Sequence, residues 1–237
     1  MNTVIVQSQD AVTLVGGGPV PRRDLAFAMA RAPVVVAADG GADRVLAAGV
    51  MPRAVIGDFD SISDSARRAI APERLFRFAE QETTDFDKAL RSVAAPFVLA
   101  LGVTGARVDH GLAVLNALVR HQGCPCLVIS GRDVVFHVPA AVTLRLKVGD
   151  RLSLFPFAPG TGVSRGLHWP IEGLRFAPGG VIGTSNAVSE GRVHLEFDQP
   201  GMLVILPRAR LDAAISALVP KWRGQHRAPR GVRGEQG

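Results

Sequence analysis

Five short runs in the first half of the chain are almost wholly apolar, and each gives way to glycine or an acid. They are residues 12–15, 33–38, 54–57, 96–101 and 126–130. Runs of this length without polar alternation predict strands buried on both faces. Residues 74–78 and 134–138 read as two further strands. Between them lie stretches of helical spacing: 22–30, a short one ending near 48, 63–71, one opening at Thr84, and 108–120. Thr84 is placed as an N-cap, with Asp87 three residues on in the capping-box position. The 108–120 helix is apolar nearly all round and is expected to be buried, with Asp109 and Asn116 seven apart on one side of it. Strands alternating with helices predict a Rossmann-like, mostly parallel sheet with helices on both faces over residues 1–139.

Beyond residue 139 the period changes to two. Val142, Leu144, Leu146 and Val148 alternate with Thr143, Arg145 and Lys147, and Val193, Leu195 and Phe197 alternate with His194, Glu196 and Asp198. Glycine and proline recur between such stretches, so residues 140–220 are expected to form an antiparallel β-sandwich or barrel. The fold class is therefore α/β followed by all-β. Residues 221–237, rich in Gly, Gln and Arg, offer little apolar surface and are expected to be a disordered basic tail.

The 237 residues, 47% of them apolar, suffice for a substantial core. No apolar run reaches membrane-spanning length, and Met1 to Asp10 lacks the basic start and apolar middle of a signal peptide, so a cytoplasmic location is expected. The formal charge is +6, but Lys221, Arg223, Arg227, Arg230 and Arg233 against Glu235 put +4 of it in the tail. The remaining +2 gives no reason to expect a specific nucleic-acid partner. Cys124 and Cys126 are too few for a disulfide framework and read as structural thiols.

Chemistry gathers where the apolar runs end. Residues 54–57 lead into Asp58-Phe59-Asp60. In an extended chain the two carboxylates point the same way while Phe59 turns to the core. Two hard oxygen ligands at the carboxyl end of a strand suit Mg²⁺ and a substrate phosphate. Turn formation and helix capping are the structural alternative. Asp39 repeats the position after residues 33–38 and is followed by Gly40 and Gly41, which allow close approach to a ligand. Gly16, Gly17 and Gly18 fit either an anion-cradling loop or a plain tight turn. Asp85 and Lys88 share a face at the start of the Thr84 helix, where a metal-bound triphosphate is favoured by the helix dipole. Arg107 and Asp109 stand at the mouth of the next helix, as ligand contacts or as a mutual ion pair. Trp169 lies beside a turn, where it suits a stacking platform or a core position.

Six segments taken in order resemble the thiamine pyrophosphokinases: Asp39-Gly40-Gly41-Ala42; Gly57-Asp58-Phe59-Asp60-Ser61; Thr84-Asp85-Phe86-Asp87-Lys88-Ala89-Leu90; Gly105-Ala106-Arg107-Val108-Asp109-His110; Gly166-Leu167-His168-Trp169; and Thr184-Ser185-Asn186. The resemblance covers roughly residues 12–206. It implies transfer of the pyrophosphoryl group of ATP to the hydroxyl of thiamine, giving thiamine diphosphate and AMP. A homodimer is also implied, with the β-rich half of one chain closing the site of the other. Carried over by residue, Asp58, Asp60 and Asp85 hold Mg²⁺, and Lys88 and Arg107 contact phosphates. Asp39, Gly40, Thr84, Asp109 and Asn116 belong to the nucleotide side, and Trp169, Ser185 and Asn186 to the thiamine side. Ala106 stands where the family commonly has glycine, and Val114 where it has asparagine, leaving Asn116 as the amide of that helix. Two rival readings are a phosphatase of the haloacid dehalogenase type, from Asp58-x-Asp60, and a non-catalytic sensor; a sensor has no need of Asp58, Asp60, Asp85 and Lys88 together.

Overall fold

The computed structural model describes residues 4–105 and 107–222. The expected tail beyond Trp222 lies outside the described residues, as does Ala106. In chain order the strands are β1 (Val6–Gln7), β2 (Val12–Val15), β3 (Val34–Ala38), β4 (Ala54–Gly57), β5 (Leu75–Arg77), β6 (Val93–Ala94), β7 (Val98–Leu101), β8 (Cys126–Ser130), β9 (Asp133–His137), β10 (Ala141–Arg145), β11 (Arg151–Pro156), β12 (Gly162–Arg165), β13 (Gly183–Ala187), β14 (Arg192–Phe197) and β15 (Met202–Pro207). The helices are α1 (Arg22–Met29), α2 (Gly41–Ala47), α3 (Asp64–Ala69), α4 (Asp85–Arg91), α5 (Val108–Arg120) and α6 (Leu211–Leu218).

The result is a mixed α/β fold with one large mixed sheet, a separate antiparallel one and a small parallel pair, β1–β6. The large sheet has ten strands in the order β13-β11-β15-β9-β8-β7-β2-β3-β4-β5. From β8 to β5 every pairing is parallel, and from β8 to β13 every pairing is antiparallel. Alternate residues of the parallel strands enter two different cores. Val15, Val35, Ala37 and Val55 pack with α1, α2 and α3, whereas Leu14, Val36, Ala38 and Ile56 pack with α4 and α5. Burial on both faces is why these strands read as continuous apolar runs.

The second half does not form a free-standing sandwich. Only β10, β14 and β12 make the separate sheet. Their buried Val142, Leu144, Val193, Leu195 and Phe197 share one core with Leu152, Leu154, Val204 and Leu206 on the antiparallel end of the large sheet. One layer of the expected sandwich is thus the continuation of the first half's sheet. The cause is the β8–β9 hairpin, which turns through Gly131 (φ 58°) and reverses strand direction, so that the far edge of β9 accepts β15 antiparallel.

Three expectations about individual elements are corrected. Helix α5 is not buried all round: Val108 is 83% and Leu112 57% exposed, and only Val114, Ala117 and Leu118 are fully covered. Val148 lies past the end of β10 and is exposed. Helix α6, absent from the reading of residues 140–220, follows β15 and packs Leu211, Ala214 and Ile215 into the core. An Arg31–Asp212 ion pair, with N–O distances of 2.5 and 2.9 Å, ties it to the turn that follows α1. Cys124 and Cys126 are free thiols whose pKa burial pushes up. No helix among the described residues is long and apolar enough to cross a membrane.

Candidate active site

The carboxyl ends of β2, β3, β4 and β7 open onto one cleft of about 750 Å³. Strand ends bring Gly16–Gly18, Asp39, Asp58 and Gly102 to its floor, and the starts of α4 and α5 bring Thr84, Asp85, Lys88, Arg107 and His110 to its wall. The floor is built by backbone contact. Gly16 and Gly18 lie so close to Gly102 that a Cβ on either would stand 2.7 Å from its carbonyl oxygen, and a Cβ on Gly41 would stand 1.9 Å from that of Val15. Gly41 therefore serves the seating of α2 on β2 rather than ligand approach.

Within the cleft, Asp39, Asp58 and Asp60 each offer a carboxylate oxygen within 4.8 Å of the others. Asp39 is buried and accepts hydrogen bonds from the backbone N–H of Ser61 (3.0 Å) and Ile62 (3.1 Å). Burial, reinforced by the neighbouring Asp60 and Asp85 carboxylates, pushes its pKa up to about 6. Asp60 is exposed and held below the usual carboxylate range, first by the Ser61 hydroxyl, which donates to it at 2.7 Å. Asp58 accepts from the Asp60 N–H (3.2 Å) and the Gln81 amide (3.3 Å). Hard oxygen donors at this spacing suit a small divalent cation such as Mg²⁺.

The convergence of Asp58 and Asp60 has a different origin from the extended alternation expected. Phe59 between them has φ 69°, in the left-handed region, while its ring packs against the core. A β-carbon there costs on the order of 1–3 kcal/mol, so the surrounding structure must hold it. Asp39 (φ 42°) and Ser185 (φ 61°) complete the non-glycine residues with positive φ among the described residues.

Lys88 is buried and faces two of the acids, 3.2 Å from Asp85 Oδ1 and 3.7 Å from Asp58 Oδ2. The same Asp85 oxygen accepts the Asp58 N–H at 3.3 Å. Asp85 thus faces Lys88 and the β4 end, and Asp39 is the acid that lies with Asp58 and Asp60. Thr84 caps α4 through the Asp87 N–H (3.3 Å). The Asp87 carboxylate does not close a capping box. It is buried and reaches across to Arg120 (2.9 Å) and His121 (3.0 Å) at the end of α5.

Arg107 lines the cleft and pairs with Asp109 through two contacts, 3.1 and 2.5 Å, both side chains being exposed. The Arg107 guanidinium holds the Asp109 carboxyl below its ordinary range. Asp109 is not part of the lining, and Asn116 faces a neighbouring depression with Leu112, Arg120 and Phe157. Asp43, Arg44 and His110 line the cleft and were not singled out in the sequence. Asp43 accepts from Ser63 N–H (3.0 Å) and from its hydroxyl, and Arg44 donates to the Gly17 carbonyl at 3.0 Å. Asp43 and Arg44 follow directly on Gly40-Gly41-Ala42, on the first turns of a helix that begins at the cleft, which is the signal that could have found them.

Trp169, Ser185 and Asn186 form a second group. Trp169 is 57% exposed, which excludes the core position. Asn186 is buried, accepts from the Trp169 N–H (3.2 Å) and donates to the Trp169 carbonyl (2.6 Å), fixing the turn that carries the indole. His168 stands edge-on to that indole at 4.5 Å between ring centroids. Ser185 is exposed, with its N–H donated to the Ser153 hydroxyl at 3.0 Å.

Two family descriptions match the two groups. Residues 26–128, which hold the acid cluster and Lys88, match thiamin pyrophosphokinase, catalytic domain, and residues 140–202, which hold Trp169, Ser185 and Asn186, match thiamin pyrophosphokinase, vitamin B1 binding domain. The chain belongs to the thiamin pyrophosphokinase family. Among relatives, thiamine pyrophosphokinase of Bacillus subtilis (strain 168) is 26% identical over 210 residues, covering 82% of this chain and 97% of the relative. Thiamine pyrophosphokinase 1 of Oryza sativa subsp. japonica is 25% identical over 202 residues, covering 71% of this chain and 76% of the relative. The fold is shared with the solved thiamin pyrophosphokinase of Candida albicans, at a TM-score of 0.71 and 18% identity over 86% of this chain and 93% of that one. It is also shared with the solved Bacillus subtilis thiamine pyrophosphokinase, at a TM-score of 0.67 and 24% identity over 83% and 98% of the two chains.

Proposed function

We propose that this family member transfers the pyrophosphoryl group of ATP to the primary hydroxyl of thiamine. The observation that carries this is the joining, in one cleft, of the Asp39, Asp58 and Asp60 carboxylates with buried Lys88, in a chain matching both parts of the family. The parallel strands β5-β4-β3-β2-β7-β8 read as the Rossmann-like half, with the nucleotide at their carboxyl ends.

Asp58 and Asp60, with Asp39, would hold Mg²⁺, which supplies charge neutralisation of the phosphates when bound. Asp85, which lines the same cleft, would join this set and also orients Lys88 and the Asp58 backbone. The thiamine hydroxyl oxygen forms a bond to the β-phosphorus as the bond from that phosphorus to the α,β-bridging oxygen breaks, and AMP leaves with that oxygen. Such transfer asks for positioning and for cations where negative charge accumulates. Lys88 and Arg107 supply these, and Thr84 at the α4 N-terminus places backbone N–H groups on the same side. The hydroxyl proton passes to a carboxylate of the cluster, either Asp39, whose pKa burial raises to about 6, or the exposed Asp60, which is held low by the Ser61 hydroxyl.

The acid cleft is lined by residues from Gly16 to Val114. That supports a homodimer in which Trp169, held by Asn186, and Ser185 present the thiamine rings to the partner's cleft. A cytoplasmic location belongs to the same reading. Phosphorus NMR of the enzyme with ATP, Mg²⁺ and thiamine tests the reaction. AMP and thiamine diphosphate, formed only with metal and thiamine both present, are expected; ADP or free phosphate would overturn the reading.

A further inference from the structure

The turn that carries Asp58 and Asp60 is gripped from outside the cleft. Phe59, at φ 69°, occupies a conformation that side chains with a β-carbon disfavour, and a change to negative φ would redirect the chain between Asp58 and Asp60 and alter the separation of their carboxylates. Two arginines oppose that change through the backbone. Arg67 on α3 donates from Nη2 to the Phe59 carbonyl at 2.9 Å, with its guanidinium 5.5 Å from the centroid of the Phe59 ring. Arg77 at the end of β5 donates from Nε to the Asp58 carbonyl at 3.2 Å. Neither arginine lines the cleft.

We infer that Arg67 is a positioning residue for the acid pair. It fixes the left-handed backbone at Phe59, and through it the separation of the Asp58 and Asp60 carboxylates, without touching substrate. The inference rests on the reading of those carboxylates as metal ligands. A simple charge effect predicts the opposite sign. A guanidinium near a divalent cation repels it, so removing the charge alone tightens metal binding. Loss of a positioning contact instead loosens it, by about tenfold at the lower end for residues that orient ligands. Arg68, exposed and next on the same helix, carries equal charge and serves as the control.

The test is titration of the full chain with Mn²⁺ in place of Mg²⁺, without nucleotide, reading free Mn²⁺ by electron paramagnetic resonance. Arg67→Ala is expected to weaken binding about tenfold, Arg67→Lys to recover part of the loss, and Arg68→Ala to leave binding unchanged or tighter. Glycine accepts positive φ unaided, so in a Phe59→Gly background Arg67→Ala is expected to cost less than about twofold. Unchanged or tighter binding by Arg67→Ala, or the full loss persisting in the Phe59→Gly background, overturns the positioning role. Failure of the unaltered protein to bind Mn²⁺ overturns instead the assignment of the acid pair as a metal site.

Discussion

The ammonium of Lys88 lies 3.2 Å from Asp85 and 3.7 Å from Asp58, with only 2% of its side chain reaching solvent. A cation so enclosed is fixed before any substrate arrives, and its two acids leave it donors for a third anion. Lys88→Met keeps the length of the side chain and removes the charge. Turnover is expected to fall by about 10²–10³-fold, the scale for loss of one preorganised charge donor. Steady-state assay of AMP formation checks this; a loss under about threefold would remove Lys88 from the phosphate site.

Asp58→Asn keeps size and fold while removing a ligand charge, and Trp169→Ala removes the exposed indole. Each variant alone is expected to be nearly inactive with an unchanged circular dichroism spectrum. If the two groups meet across a subunit boundary, co-refolding the variants yields heterodimers with one intact site. Recovery of roughly a quarter of normal activity is the expected outcome for random pairing in a symmetric dimer. No recovery, with heterodimers verified by mass, would place Trp169 against the cleft of its own chain.

Gly41 offers a stability prediction independent of chemistry. A methyl group there would stand 1.9 Å from the Val15 carbonyl oxygen, backbone against backbone. Gly41→Ala is expected to destabilise the protein by several kcal/mol, at the extreme of single substitutions. Gly49→Ala meets nothing within 4 Å and changes only the cost of φ 80°, so it should lose about 1–2 kcal/mol. Urea unfolding of the two variants separates them.

The Asp150 carboxylate is held below its ordinary value of 3.8, first by the hydrogen bond from Arg210, which joins the β10–β11 turn to the segment before α6. A folded pKa below the unfolded one means stabilisation present above 3.8 and lost as pH falls through the folded value. Arg210→Ala should therefore lower the melting temperature at pH 7, with the difference from the unaltered protein shrinking below pH 3.8. A difference that stays constant down to pH 2.5 would assign the effect to packing.

Much of the parallel half was legible in the sequence because its strands are buried on both faces and its helices carry recognisable starts. Thr84 and Ser63 both cap helices as side-chain acceptors. What was not legible depended on direction. The period-two rule supposes extended backbone, so it could not foresee Phe59 in the left-handed region. On α5 the spacing of Asp109 and Asn116 defines a common side but not where that side points. In the fold it is Arg107, His110 and Val114 that meet the cleft, and Asn116 faces the adjacent depression. Leu211, Ala214, Ile215 and Leu218 carry the helical spacing of α6, hidden by the stronger alternation before them. The family resemblance, over roughly residues 12–206, spans both matching stretches, 26–128 and 140–202, and the large sheet shared between the halves was visible in neither pattern.

That shared sheet limits how the protein can move. Between the acid cleft and the β11–β13 edge, hydrogen-bonded ladders β7–β8, β8–β9, β9–β15 and β15–β11 run without a break. A hinge that separated the halves would have to tear one of these ladders, so the continuous sheet opposes their opening. Rearrangement is then left to the surface turns between the elements, while the cleft floor, built on the ends of β2, β3, β4 and β7, stays tied into the ladder.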